Sequence, residues 1–144
     1  MSALKFSAEP KVRLTDDARA IDFDQLRALQ SETTWAQDRT LFDLQRAVAA
    51  SDLVITAWHG STLVGCVRVL SDFVYRAVLC DVIVHPAYRR HGIGRMLVEE
   101  ATSHPRLSRV QKFTLLTAGA RAFYERLGWK RYPGEGMVLE RDQQ

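Results

Sequence analysis

The chain has 144 residues, 47% hydrophobic and 26% charged, the balance of a globular domain long enough to bury one core. No apolar run reaches bilayer-spanning length, and the start, MSALKFSAEPKVRL, has no signal-peptide core, so a cytoplasmic location is expected. The net charge of +3 and pI near 9.1 come without an RNP motif, a zinc finger or a long basic stripe, so neither nucleic acid nor a membrane is the expected partner. Cys66 and Cys80 stand inside apolar runs, which predicts buried free thiols. No CxxC or HExxH spacing occurs, so no metal is expected.

In chain order, Lys11–Leu14 reads as a first strand. Asp22 or Asp24 can cap a helix that runs to Ser31, with Leu26 and Leu29 inward. Ser31–Arg39 is a polar loop carrying one large aromatic, Trp35. Leu41, Leu44 and Val48 have helical spacing and predict a helix over Thr40–Ala49. Asp52–His59 and Thr62–Leu70 are strand runs joined at Gly60–Ser61, a pair suited to a tight hairpin. Ala77–Val84 is almost wholly apolar and predicts a central strand buried on both faces, with Asp81 as its anomalous charge. Ile93–Ser103 reads as a helix, Gln111–Leu116 as a strand and Gly119–Leu127 as a short helix stopped by Gly128. Trp129–Glu140 is expected to form a last hairpin, turning at Pro133–Gly136. The whole predicts one α+β (mixed α/β) domain over residues 1–144, built on one sheet.

The run VIVHPAYRRHGIGRMLVE, from Val82 to Glu99, carries the chemistry. A buried strand feeds a basic, Gly-containing loop that opens a helix. Helix starts leave N–H groups unpaired and partly positive. Gly92 and Gly94 let the backbone approach an anion, and Arg89, Arg90 and Arg95 add charge. The pattern suits a pyrophosphate. It is not a Walker A loop, which needs Gly-Lys-Ser/Thr, nor a dinucleotide fingerprint, because Leu97 stands where the third Gly belongs.

The run RRHGIG, Arg89–Gly94, is similar to the R/Q-x-x-G-x-G/A signature of the GNAT superfamily of acetyltransferases. ARAFYERLGW, Ala120–Trp129, resembles that family's A-x-x-F-Y-x-x-x-G-F segment, with Trp129 in place of the last Phe. The resemblance runs from about Leu53 to Glu140. It implies a twisted mixed sheet of six to seven strands flanked by about four helices, binding acetyl-coenzyme A. The pantetheine arm would pair with the backbone of Val82, Ile83 and Val84, in a gap beside a bulged strand. The diphosphate would sit on the amides of Arg89, Arg90, His91, Gly92, Ile93, Gly94 and Arg95. Tyr124 matches the family's frequent general acid and would touch the coenzyme. Thr117 stands where many relatives have Asn. Homodimers are common among relatives. The runs Val69–Val84 and Phe123–Glu140 are also similar to the plant and cyanobacterial branch that includes serotonin N-acetyltransferases.

The expected reaction is acetyl transfer to a primary amine, on a small molecule such as an arylalkylamine or on a peptide, by direct attack in a ternary complex. The alternative is a non-catalytic coenzyme A-binding module. Asp81 is the candidate base, because a lone carboxylate in an apolar strand needs a purpose or a partner; the other reading is an ion pair with Arg68 on the neighbouring strand. His59 and His85 are lesser candidates, with His85 expected at the strand exit. Trp35, Phe73 and Tyr75 are the expected acceptor-binding aromatics, whereas Trp58 and Trp129 suit core packing.

Overall fold

The computed structural model describes residues 11–132, 134 and 136–141. Five strands form one sheet in sequence order: β1 (Arg13–Thr15), β2 (Leu53–His59), β3 (Thr62–Ser71), β4 (Arg76–Val84) and β5 (Lys112–Thr114). The first four pair antiparallel, and β5 joins β4 parallel. The helices are α1 (Phe23–Ser31), α2 (Leu41–Ala49), α3 (Ile93–Thr102) and α4 (Arg121–Arg126). No helix among the described residues is long and apolar enough to cross a membrane.

Local chemistry sets the early boundaries. Asp22 caps α1 by accepting from the Gln25 amide, and Thr40 caps α2 by accepting from the Asp43 amide. Gly60 turns the β2–β3 hairpin at φ 60°, a conformation that costs glycine little. Leu26, Leu29 and Leu44 from α1 and α2 pack on one sheet face with Trp58, Leu63, Cys66 and Ile83. Ile93, Leu97, Val98 and Ala101 from α3 cover the other, against Ile55, Val67 and Leu79. α3 lies close to the sheet: a Cβ on Gly65 would stand 3.0 Å from a Leu97 methyl and 3.1 Å from the Ile83 carbonyl oxygen.

The register explains where Asp81 goes. Cys66 faces Ile83 but Arg68 faces Cys80, so β4 carries one residue more than β3 at this point. This is a β-bulge, and Asp81 sits in it at φ 53°. An extra residue inverts which face each later side chain meets. Ile83 therefore packs among the α1 and α2 leucines, whereas Val82 and Val84 pack on the α3 side. Asp81 meets Arg39 and Arg68 instead of the apolar core under α3.

Two expectations need correction. β4 is not buried on both faces: Ala77, Leu79 and Ile83 are buried, but Val78 is 38% exposed. The pairing with β5 stops at Val78 and Thr114, so beyond that point β4 has no strand neighbour on that side among the described residues. The last hairpin also does not form among the described residues. Residues 136–141 have no regular structure, with Met137, Val138 and Leu139 exposed, and Pro133 and Glu135 of the expected turn lie outside the described residues. Among the described residues the sheet thus has five strands rather than six to seven.

Candidate active site

The site begins where the sheet splits. From Leu79 to Val84 the edge of β4 that faces β5 carries no ladder partner among the described residues, so its backbone groups are open to a ligand that brings amides of its own. One side of the gap is a cleft of about 740 Å³ lined by Val82, Ile83, Val84, the loop into α3, Phe123 and Tyr124. A second cleft of about 770 Å³ is lined by residues 78–82 of β4, residues 115–120 and Tyr124. Thr34, Trp35, Val82, Ala120 and Tyr124 line both clefts, so the two meet across Tyr124.

α3 starts without a side-chain cap. Gly92 is the cap residue, at φ 78°, and the first intrahelical hydrogen bond runs from the Met96 amide to the Gly92 carbonyl. The amides of Ile93, Gly94 and Arg95 therefore have no partner among the described residues, unlike the capped starts of α1 and α2. Arg90 is also left-handed, at φ 68°. Arg89, Arg90 and Arg95 line the cleft, while the Arg95 guanidinium is drawn along the helix to Glu99 at 2.7 Å. Close packing shapes the rim: a Cβ on Gly94 would lie 3.3 Å from Cζ of Phe123. Bare amides, glycines and arginines form an anion cradle.

Tyr124 is 8% exposed and is wedged edge-on between the rings of Phe123 and Trp129, at 5.0 and 5.8 Å. Among the described residues no buried side-chain nitrogen or oxygen lacks a partner. The Tyr124 hydroxyl makes no hydrogen bond among them, so it reaches the cleft. Burial raises its pKa above the ordinary 10.0, which keeps the phenol protonated at neutral pH.

Asp81 has a side chain only 6% exposed. Its Oδ2 accepts from Arg39 Nη1 at 2.8 Å and from Arg68 Nε at 3.0 Å. The ion pair with Arg68 is present, and Arg39, from the loop between α1 and α2, is a second partner. Burial pushes the nearby Cys66 thiol up to about 12, with the Asp81 charge adding to the effect.

Residues 50–131 match the acetyltransferase (GNAT) domain family. The chain belongs to the GNAT acetyltransferase family. A GNAT-family structure from Xanthomonas campestris is 31% identical, covers 93% of this chain and 94% of its own, and superposes with a TM-score of 0.81. Among curated sequences, an uncharacterised ycf52-like N-acetyltransferase of Prochlorococcus marinus is 26% identical over 120 residues, covering 80% of this chain and 66% of its own length. A histone acetyltransferase of Glycine max is 30% identical over 129 residues, of which this chain spans 55% of the length. The chain thus spans about two-thirds or less of these two curated relatives.

Within this GNAT domain, the expected site residues fall into two groups. Val82, Ile83, Val84, Arg89, Arg90, Gly92, Ile93, Gly94, Arg95, Tyr124 and Trp35 all line the first cleft. His91 is exposed and does not line it. Phe73 and Tyr75 line neither cleft: they belong to the β3–β4 turn, at the end of β4 far from the bulge. Phe73 packs on the core beneath the Arg106 guanidinium, and Tyr75 is 61% exposed. His85 stands at the β4 exit and caps the turn at Pro86–Tyr88 through Nδ1, and His59 contacts the Tyr88 hydroxyl. Sequence reading missed Glu32 and Thr34, which flank the clefts with Trp35, and Phe123, Tyr88 and Cys80 in their walls. Only Phe123, inside the FYERLGW run, had a signal that marked it.

Proposed function

We propose that this GNAT domain transfers an acetyl group from acetyl-coenzyme A to a primary amine of a small molecule or peptide. The observation that carries the proposal is the set of unpartnered amides at Ile93–Arg95 opening onto the same gap as the bare β4 edge and the Tyr124 hydroxyl. The residues fit the coenzyme. The cradle suits a diphosphate, and the strand edge suits the paired amides of a pantetheine arm. Acetyl-coenzyme A, when bound, supplies an acetyl group activated as a thioester.

The protein's part is binding, alignment and proton control. The backbone of Val82–Val84 would hold the arm, and an N–H of that bulged segment would stabilise charge on the thioester oxygen. The second cleft receives the amine, with Trp35 as an apolar wall that suits an arylalkylamine. Tyr124, neutral and facing the gap, would donate a hydrogen bond to the thioester sulfur of a bound coenzyme. An ordinary thiol ionises near 8.5, below a phenol near ~10, so hydrogen bonding outweighs complete proton transfer. Arg39 and Arg68 already hold the Asp81 carboxylate, and we assign it a structural role. Glu32, exposed at the end of α1 and lining the first cleft where it adjoins Thr34 and Trp35, is the carboxylate we assign to take the ammonium proton through water.

The deciding experiment is thiol release from acetyl-coenzyme A with arylalkylamines, polyamines, amino acids, aminoglycosides and lysine peptides, beside calorimetry of coenzyme A binding. Amine-dependent release is expected. Binding without release for any amine would leave a non-catalytic coenzyme module, and absence of binding at millimolar coenzyme would end the proposal.

A further inference from the structure

We infer that Arg39 and Asp81 act together as positioning residues, locking the loop that carries Trp35 over the junction of the two clefts. The inference extends the function proposed above, because it assigns Trp35 to the acceptor side.

The loop between α1 and α2 spans residues 32–40 and is tied down at two points. At the first, Ala36 is buried, its amide donates to Thr33 Oγ1, and that hydroxyl donates to the Gln30 carbonyl at 2.8 Å. At the second, Arg39 Nη1 reaches both the buried Gln30 Oε1 at 3.3 Å and Asp81 Oδ2 at 2.8 Å. The Arg39 guanidinium also covers the Trp35 ring, 5.4 Å from its centroid. Trp35 is otherwise 57% exposed.

The anchor point itself is rigid. Asp81 sits in the bulge at a left-handed φ of 53°. Arg68 holds the same Oδ2 while its Nη1 reaches Ser51 Oγ. The carboxylate is thus fixed to β3 and β4 and presented to the loop. One ion pair at low exposure, bound on both sides, sets where the indole stands relative to Tyr124. The arrangement gives the buried carboxylate a purpose that needs no proton transfer, and it links the strand bulge to the acceptor wall.

Acrylamide quenching of tryptophan fluorescence tests this without any substrate. Each variant is compared with the same variant carrying Trp35→Phe, so that the difference isolates Trp35 from Trp58 and Trp129. Arg39→Met and Asp81→Asn should each raise the Trp35 quenching constant about twofold, by uncovering the ring face. Arg68→Met removes the other partner of Asp81, so it should lower the melting temperature and raise Trp35 quenching less than Arg39→Met does. A rise with Arg39→Met but not Asp81→Asn would show simple stacking and overturn the anchor, as would no rise with either. Should Asp81→Asn not fold, Arg39→Lys replaces it. Lysine keeps the charge toward Asp81 but loses the planar cover, so the anchor requires that it restrain Trp35 more than Met does. In thiol-release assays with tryptamine, Arg39→Met should raise the amine KM about tenfold with the coenzyme Kd unchanged. If the wild-type protein does not acetylate tryptamine, that substrate assignment fails while the quenching result still decides the anchor.

Discussion

Gly94, in the first turn of α3, lies so close to Phe123 of α4 that a methyl group on its Cα would stand 3.3 Å from the ring's Cζ. The contact sets one rim of the first cleft, since both residues line it. Alanine in Gly94→Ala suits a helix better than glycine, and Phe123 is only partly buried, so the ring can yield toward the cleft. The melting temperature should therefore change little. Coenzyme affinity should fall about tenfold, or ~1.4 kcal/mol, in calorimetry. Unchanged affinity would mean that the ring does not set the cleft's width.

The arginines around α3 should not contribute equally. Arg95 is already engaged by Glu99 at 2.7 Å, whereas Arg89 and Arg90 have no acidic partner among the described residues. Replacing both Arg89 and Arg90 with alanine should weaken coenzyme binding by tenfold or more, given ~1.5–3 kcal/mol for a hydrogen bond to a charged group. Arg95→Ala should cost far less. Binding isotherms at two salt concentrations would also show a shallower salt dependence for the double variant.

Tyr124→Phe should lower kcat about a hundredfold, the scale of a positioned acid, without changing coenzyme Kd. Burial raises the Tyr124 pKa, so the acid stays protonated through the neutral range. Activity that depends on it should be lost only as pH rises past the ordinary phenol value near ~10. A pH–rate profile whose alkaline limb near pH 8 vanishes in Tyr124→Phe would contradict this.

Cys66 and Cys80 should differ in alkylation. Cys66 is 3% exposed and its thiol is pushed up to about 12, while Cys80 is partly exposed in the second cleft. Iodoacetamide at pH 8 should modify Cys80 first, as read by peptide mass mapping; equal rates would contradict the burial. The same shift bears on stability. The unfolded Cys66 thiol ionises near its ordinary 9.0 and the folded one near 12, so its contribution is complete below pH 9. It declines as pH climbs toward 12, by up to about 1.4 kcal/mol per pH unit.

Much of this was legible from residue order because the signals were local. Asp22 caps its helix, Gly60 turns its hairpin, and the strand, basic loop and helix around Gly92 follow in immediate succession. What escaped was tertiary. Arg39 lies 42 residues before Asp81, in a loop whose composition marks only polarity, so its ion pair depends on a fold that brings α1 and α2 over the bulge. Phe73 and Tyr75 adjoin β4 in sequence, but adjacency does not say which end of a strand faces the gap. The apolar run of β4 suggested two covered faces; on the outer side the cover is withdrawn where β5 leaves, and that vacancy is what the clefts are made from.

The short ladder between Arg76–Val78 and Lys112–Thr114 has a mechanical meaning. It works as the spine of a book, with one leaf made of β3, β4 and the Asp81 anchor and the other carrying α4 and Tyr124. A molecule seated in the fold of that book binds both leaves at once. Occupancy by the first ligand would then stiffen the wall against which the second must align.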